Sequence, residues 1–215
     1  MLSIDKIKDL FNVGESLMVW GVQDMRAVGL FEHGGPEVLQ VVELPSVEAG
    51  PGQVRIRNYA AAVNPTDIVG RNGMRAEIQK KDPPPYVPGM DAAGVVDQIG
   101  EGVETGVKIG DRVMAMVVPK GAHGAYREQI VLDQRAVVQA PLGATHVEAS
   151  TLPMNSLTAR LSLDLLGLQS GQVIAVTGGP GAYGGYVIQL AKAEGLTVIA
   201  DSSESDRVLL ESLGV

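Results

Sequence analysis

The sequence has no cysteine among its 215 residues. This absence excludes disulfide bonds, catalysis by a thiolate and every zinc site that depends on cysteine ligands. Apolar runs are also short: none approaches the ~20 residues that a membrane-spanning helix needs. Basic blocks are missing too, and the net charge is −8, so neither nucleic acid nor a membrane is expected as a partner. Together these absences predict a cytoplasmic protein.

Histidine is scarce as well, with only His33, His123 and His146 in the chain. The three are far apart in sequence and have no metal-ligand spacing, so each is interpreted as a loop or surface residue. The sequence therefore predicts no metal site.

Apolar residues, by contrast, make up 45% of the chain, which is enough for a core. The clearest pattern starts at residue 172 and ends at residue 201. A short apolar run at 173–176 is followed by a glycine turn, a helical pattern at 183–194 and a second apolar run at 196–200. This switch from strand to helix and back predicts a βαβ unit of a Rossmann fold.

The turn of this unit contains Gly178, Gly181 and Gly184, and Gly179 completes the more usual G-x-G-x-x-G spacing. Glycine lets the backbone approach a pyrophosphate closely, and the free N–H groups at the start of the helix favour that anion. Asp201 stands about 20 residues further on, where an acid can hold a ribose hydroxyl. The pattern predicts a dinucleotide site, with a Rossmann-like turn that binds no nucleotide as the alternative. A P-loop is excluded, because no Lys-Ser/Thr follows the last glycine.

The segment before this unit is rich in β signals. Short apolar and alternating runs are separated by turns rich in glycine and proline, which is typical of a partly closed antiparallel barrel. The expected strands lie at residues 27–32, 38–44, 54–59, 94–99, 112–118 and 126–131.

One irregular stretch in this β-rich part, Asn64-Pro65-Thr66-Asp67, has two interpretations. Asparagine followed by proline, with an acid at the third helical position, is typical of a capped helix start. The Asn64 amide can also form hydrogen bonds with a cofactor. The two interpretations are compatible, and the residue pattern alone favours the cap.

Residues 145–168 are predicted to be helical. Thr145 and Glu148 form a capping box at the start, and Pro153 predicts a break or kink. Four leucines recur on one face of the second helix and are assigned to the core: Leu157, Leu161, Leu165 and Leu168.

Residues 1–24 differ from the ordered pattern that begins at Met25. We interpret them as an extension, disordered or forming a short helix, that the fold does not need. A docking helix anchored by Trp20 is the alternative.

Seven motifs follow one another along the chain: GGPEVL (34–39), PGQVRIRNYAAAVNPTD (51–67), PGMDAAGVV (88–96), GDRVMAM (110–116), GAYREQIVL (124–132), LPMNSLTA (152–159) and the glycine turn. Together they resemble the zinc-independent medium-chain dehydrogenases/reductases, and within them the NADPH:quinone oxidoreductase (zeta-crystallin-like) branch. The resemblance covers residues 25–215. It implies an α/β protein with a β-rich part: a GroES-like catalytic domain at 25–144, then linking helices and the start of a Rossmann domain at 145–215.

The resemblance also implies roles for single residues. Zinc-dependent relatives carry Cys at position 64 and a His-Glu pair at positions 90 and 91, so Asn64, Met90 and Asp91 imply a zinc-free enzyme. Asn64 and Thr158 match residues near the nicotinamide. The cofactor residues are expected to be Asn64, Thr158, Gly178, Gly181, Ala182, Tyr183, Gly184, Asp201 and Ser202, with Tyr126 lining the substrate cleft.

The function implied is hydride transfer from NADPH to a quinone or related enone. NADH is the alternative cofactor, because the negative charge of Asp201 disfavours the 2′-phosphate of NADPH. The positive charge of Arg207 favours that phosphate. An enoyl-thioester reductase of the same superfamily is a second candidate.

The end of the chain carries a further expectation. Only the first βαβ half of a Rossmann domain is present, so the sequence is expected to be a fragment or a truncated product. If it is truncated, a non-catalytic remnant that binds nucleotide weakly, or acts as an interaction module, is the third candidate. For the full-length enzyme the resemblance implies a homodimer.

Overall fold

The computed structural model describes residues 24–215. The extension expected at residues 1–24, with the docking helix anchored by Trp20, therefore lies outside the described residues except for Asp24. The chain builds a β-rich part followed by a smaller α/β part, which confirms the predicted fold class.

The β-rich part is a five-stranded antiparallel sheet with a separate two-stranded antiparallel hairpin. The strands are β1 (Met25–Gly29), β2 (Gln40–Leu44), β3 (Gln53–Ala60), β4 (Asp91–Ile99), β5 (Arg112–Met116), β6 (Gln129–Asp133) and β7 (Val137–Gln139). The sheet has the order β6-β3-β4-β5-β7, and the hairpin pairs β1 with β2. Two short helices, α1 (Pro65–Arg71) and α2 (Ala76–Gln79), connect β3 to β4.

Alternation of side chains places the core on one face of this sheet. In β3, Val54 and Ile56 are fully buried while Arg57 points outward. Strand β4 is different: its first four residues are all buried, so this strand is covered on both faces. An acid at its first position, Asp91, is thereby placed inside the protein.

One strand prediction needs correction, and one strand was missed. β6 begins at Gln129 rather than at Tyr126, because Ala125 and Tyr126 form backbone hydrogen bonds with Gly89, Pro88 and Val28 outside the main ladder. β7 was not predicted at all, since three residues are too few to show an alternating pattern.

The linking helices start as predicted. The Thr145 Oγ1 accepts a hydrogen bond from the Glu148 N–H (3.1 Å), and a Glu148 carboxylate oxygen accepts one from the Thr145 N–H (2.8 Å). This confirms the capping box of α3 (His146–Ser150). The predicted break at Pro153 is also confirmed, because α4 (Pro153–Leu166) begins there.

The assignment of the leucine stripe to the core was wrong for three of its four residues, because Leu157, Leu161 and Leu165 are exposed. The fourth, Leu168, is partly buried and packs against the core cluster. The buried face of α4 is formed instead by Ala159 and Leu163, which pack in one cluster with residues of the next helix. The helix is apolar on two faces, so periodicity alone did not identify the face that packs.

A pair of leucines tests this correction. We expect Leu163→Ala, at a site only 3% exposed, to lower the free energy of unfolding by about 2–5 kcal/mol through a cavity. The same truncation at Leu165, which is 88% exposed, should cost less than about 0.5 kcal/mol. Urea unfolding of both variants measures the difference. An equal decrease in the free energy of unfolding for the two would mean that Leu165 is buried in the core as well.

The α/β part consists of β8 (Val173–Val176), α5 (Ala182–Ala193), β9 (Thr197–Ala200) and α6 (Arg207–Ser212). β8 and β9 are parallel, as the βαβ prediction requires. Helix α5 packs on α4 through small side chains, since Ala159 and Ala191 are both fully buried. The outer face of the two strands is open, with Val173 and Ile199 exposed.

Candidate functional site

Asn64 lies just before α1, and its main chain closes the helix start as predicted. The Asn64 N–H donates to a carboxylate oxygen of Asp67 (2.8 Å), and the Asp67 N–H donates to the Asn64 carbonyl (3.0 Å), so the helix start is closed. The Asn64 side chain points elsewhere: its Nδ2 donates to Asp91 Oδ2 at 2.7 Å. Asn64 is buried, so this amide is held in one orientation.

Asp91 connects the two parts of the chain. Its side chain is fully buried, and its Oδ1 accepts a hydrogen bond from the Met154 N–H, at 2.6 Å, in the first turn of α4. Burial raises the pKa of the Asp91 carboxyl above its ordinary value. The donors from Met154 and Asn64 oppose that rise, while the negative charge of Asp67 adds to it.

Asp67 and Tyr126 form the other side of this buried cluster. The Asp67 carboxylate accepts hydrogen bonds from the Gly89 N–H (2.9 Å) and the Tyr126 hydroxyl (3.1 Å). Burial is the main cause that raises the pKa of the Tyr126 hydroxyl, and the nearby Asp67 carboxylate raises it further. This hydroxyl is therefore a weak proton donor. Tyr126 also borders a cavity of about 330 Å³ beside the β1 strand.

Thr158 lies one turn along α4 from the Asp91 contact. Its hydroxyl is exposed and donates to the Met154 carbonyl at 2.7 Å. Met154 therefore lies between these residues. Its carbonyl accepts a hydrogen bond from Thr158, and its N–H donates to Asp91, which also accepts a hydrogen bond from Asn64. The structure brings Asn64 and Thr158 into one hydrogen-bonded chain.

The glycine turn has the geometry that its sequence predicts. Gly178 has a positive φ of 70°, which favours glycine. A Cβ on Gly184 would lie only 2.3 Å from the Gly178 carbonyl oxygen, so a side chain there would push the turn away from the helix. Helix α5 begins at Ala182, and the first main-chain bond into its body is from the Gly185 N–H to the Gly181 carbonyl. The N–H groups of Ala182, Tyr183 and Gly184 precede that bond and are the free donors of the helix start.

Asp201 follows β9, as the sequence predicts, and its carboxylate makes a contact that the sequence did not reveal. Its Oδ1 accepts hydrogen bonds from the Gly178 N–H (2.6 Å) and the Gly179 N–H (3.3 Å), so it holds the glycine turn against the end of β9. Ser202 is exposed, and its hydroxyl donates to the Ser203 carbonyl. The Tyr183 hydroxyl donates to Ser162 Oγ (2.7 Å), which ties α5 to α4.

Metal ligands do not cluster in the part of the chain that the structure describes. Within residues 24–215, no group of three or more His, Asp or Glu side chains has the arrangement of a metal site. Between the same limits, no helix is both long and apolar enough to cross a bilayer.

Comparison with known proteins places this geometry in a family. Residues 50–142 match the alcohol dehydrogenase GroES-like domain. A 2-methylene-furan-3-one reductase of Solanum lycopersicum is 35% identical over 202 residues, which cover 89% of this chain and 50% of the relative. The solved quinone oxidoreductase of Coxiella burnetii is 32% identical with a TM-score of 0.79, covering 90% of this chain and 61% of that one.

The chain belongs to the medium-chain dehydrogenase/reductase family. Alcohol dehydrogenases share this fold: the cobalt- and zinc-bound enzyme of Pyrobaculum aerophilum is 30% identical with a TM-score of 0.74, covering 89% of this chain and 64% of that one. The chain thus spans about half to two thirds of the length of the relatives it matches.

Sequence reasoning missed two features of this medium-chain dehydrogenase/reductase. Asp91 was noted only as a position where zinc enzymes differ, although an acid heading the apolar strand DAAGVV was a signal for a buried role. A cavity of about 460 Å³ beside Thr66, Asp67 and Met90 was missed because its walls come from segments far apart in sequence.

The raised pKa of Asp91 has a testable consequence for stability. A carboxyl whose pKa is higher in the folded state binds more protons there, so its contribution to the free energy of unfolding falls as pH rises from the unfolded pKa to the folded one. Asp91→Asn removes this titration. We expect the stability of the unsubstituted chain relative to Asp91→Asn to be greater at about pH 4 than at about pH 7. Urea unfolding across this range measures it, and a constant difference would contradict the assignment.

Proposed function

We propose that this chain is the part of a reductase that binds a reduced nicotinamide dinucleotide and presents a quinone or enone to it, without a metal. The observation that carries this is the chain of hydrogen bonds from Asn64 through Asp91 to Met154. It joins the β-rich part to the first turn of α4, next to Thr158, a position matched to the nicotinamide by the family motifs.

The glycine turn fits a dinucleotide. Close contact between Gly184 and the Gly178 carbonyl leaves no room for a side chain, and the free N–H groups at the start of α5 can receive a pyrophosphate. Ala182, Tyr183 and Gly184 would hold that group, while Asp201 fixes the turn on which they depend. When bound, the cofactor supplies a hydride.

The residues at the position of the zinc ligands support a reaction without metal. An amide nitrogen of Asn64 that donates to a carboxylate is not a zinc ligand, and the Met90 sulfur accepts a hydrogen bond from the Thr66 hydroxyl (3.1 Å). A quinone or enone is already electrophilic, so the protein has only to orient the acceptor and to keep water from the reacting carbon. The proton is supplied from solvent.

NADPH is the proposed cofactor, with NADH as the alternative. Asp201 is a carboxylate at the end of β9, which by charge favours NADH. Its Oδ1 is already used by two N–H groups of the turn, however, and Arg207 is exposed six residues further on. We expect Arg207→Ala to weaken NADPH binding and to leave NADH binding unchanged. Isothermal titration with both nucleotides measures this. If Arg207→Ala changes NADPH binding and NADH binding equally, Arg207 does not contact the 2′-phosphate, and NADH is favoured as the cofactor.

The reaction is tested by following the absorbance of NADPH with a small quinone, an enone and an enoyl thioester as acceptors. Oxidation with the quinone and the enone supports the proposal. Oxidation with the thioester alone identifies the second candidate, an enoyl-thioester reductase. A folded chain that binds neither NADPH nor NADH would support the third candidate, a non-catalytic interaction module. We further propose that the full-length enzyme is a cytoplasmic homodimer, which size measurement of that enzyme tests.

A further inference from the structure

The cavity of about 460 Å³ beside Asp67 has an apolar floor. Leu30, Val87 and Met90 belong to its lining, and Leu30 and Val87 are almost fully buried. The cavity is within the volume range of small-molecule sites. Its wall includes Asp67, whose carboxylate accepts a hydrogen bond from the Asn64 N–H, so the cavity adjoins the buried cluster of the proposed reductase.

The rim of this cavity is cationic, although the chain as a whole carries a net charge of −8. Four basic side chains line it, from α1, from the segments around α2 and from the loop after β5: Arg71, Arg75, Lys81 and Lys120. Such a cluster in an acidic protein attracts anions locally.

Most of this positive charge is not neutralised by neighbours. Lys120 lies 3.7 Å from Asp82, at the limit of an ion pair. In the structure from residue 24 onward, no carboxylate pairs with Arg71, Arg75 or Lys81.

The two acids of the lining, Asp67 and Asp82, offset only part of this charge, since four basic side chains line the same cavity. The Asp67 carboxylate already accepts hydrogen bonds from the N–H groups of Asn64 and Gly89 and from the Tyr126 hydroxyl. Asp82 is the other acid, and Lys120 is its partner. Among residues 24–215, Arg71, Arg75 and Lys81 therefore line this largely apolar cavity without a carboxylate partner, while the Arg71 guanidinium donates to the Gly34 carbonyl at 2.7 Å.

From this arrangement we propose that the cavity is the acceptor site, and that the acceptor is an enone or quinone that carries an anionic substituent such as a carboxylate. The apolar body of the acceptor lies on the floor, and the anion lies at Arg75 and Lys81. The inference rests on the proposed function. In that reduction one hydride and one proton saturate the carbon–carbon double bond of an enone, and the cofactor is oxidised by two electrons.

The test uses the 215-residue chain with two matched ligands, benzalacetone bearing a para carboxylate and its methyl ester. Binding of their saturated analogues, followed by NMR without cofactor, tests the cavity independently of turnover. We expect the carboxylate to bind at least ten times more tightly than the ester at low salt, and this preference to shrink as salt rises.

Two double variants test which basic side chains cause the preference for the carboxylate over the ester. Arg75→Gln/Lys81→Gln should remove it, whereas Lys108→Ala/Lys192→Ala, which removes the same charge from exposed sites outside the cavity, should keep it. Equal binding of carboxylate and ester, or a preference that survives Arg75→Gln/Lys81→Gln in a folded chain, would overturn the inference. If the carboxylate is preferred but neither unsaturated ligand is reduced by NADPH, the cavity assignment stands and the proposed function fails.

Discussion

Replacing Gly184 by alanine should destabilise the chain and abolish tight nucleotide binding. The new Cβ would lie 2.3 Å from the Gly178 carbonyl oxygen and 2.9 Å from the Gly179 Cα, both of them backbone atoms that a rotamer change cannot move. Overpacking of this kind costs about 1–3 kcal/mol. Because the displaced turn also moves away from the free N–H groups of α5, we expect NADPH affinity to fall at least about tenfold, which is about 1.4 kcal/mol.

The neighbouring glycine provides a matched control. A Cβ at Gly185 would find its nearest neighbour, a Leu213 methyl group, at 3.8 Å, an ordinary contact. Gly185→Ala should therefore stabilise the helix by up to about 1 kcal/mol and leave nucleotide binding unchanged. Urea unfolding and isothermal titration of the two variants measure the contrast. The account of the turn fails if both substitutions behave alike.

Asp91→Ala should be the most damaging substitution in the buried cluster. It removes the acceptor of two hydrogen bonds, from the part-buried Met154 N–H and the buried Asn64 amide, and leaves both donors without this partner. Hydrogen bonds to a charged group contribute about 1.5–3 kcal/mol each. The relief of burying a carboxylate offsets part of the loss, so we expect a net decrease of about 2–4 kcal/mol in the free energy of unfolding.

Asp97→Ala is the control on the same strand. Asp97 is partly exposed and pairs with Arg55 at 2.8 Å, so its loss should cost no more than about 1 kcal/mol. Chemical denaturation compares the two. A loss for Asp91→Ala no larger than that for Asp97→Ala would mean that the contact between β4 and α4 does not hold the two parts together.

The features predicted correctly are those whose causes lie close together in sequence. The capping box of Thr145 and Glu148 needs only a three-residue spacing, and the break at Pro153 needs only one residue. The βαβ unit was predicted because its glycines and its change of period fall within 30 residues. Local chemistry decides these elements, so a single sequence records them.

The errors concern choices made by distant packing. Helix α4 is apolar on two faces, and the face that packs is the one where Ala159 lets α5 approach closely. Asp91 is buried because β4 lies between β3 and β5 and beneath the start of α4, and the apolar run that follows it in sequence did not identify these partners. The contact of the Asp201 carboxylate with the glycine turn, across 23 residues, was likewise not predicted.

Hydride transfer itself is the most direct test of the proposed function. NADPH carrying deuterium at the transferred position is mixed with the chain and an enone, and the product is analysed by mass spectrometry. The account predicts one deuterium at the β carbon of the saturated ketone, and a loss of this product in Gly184→Ala but not in Gly185→Ala. A folded chain that binds NADPH yet yields no labelled product would contradict it.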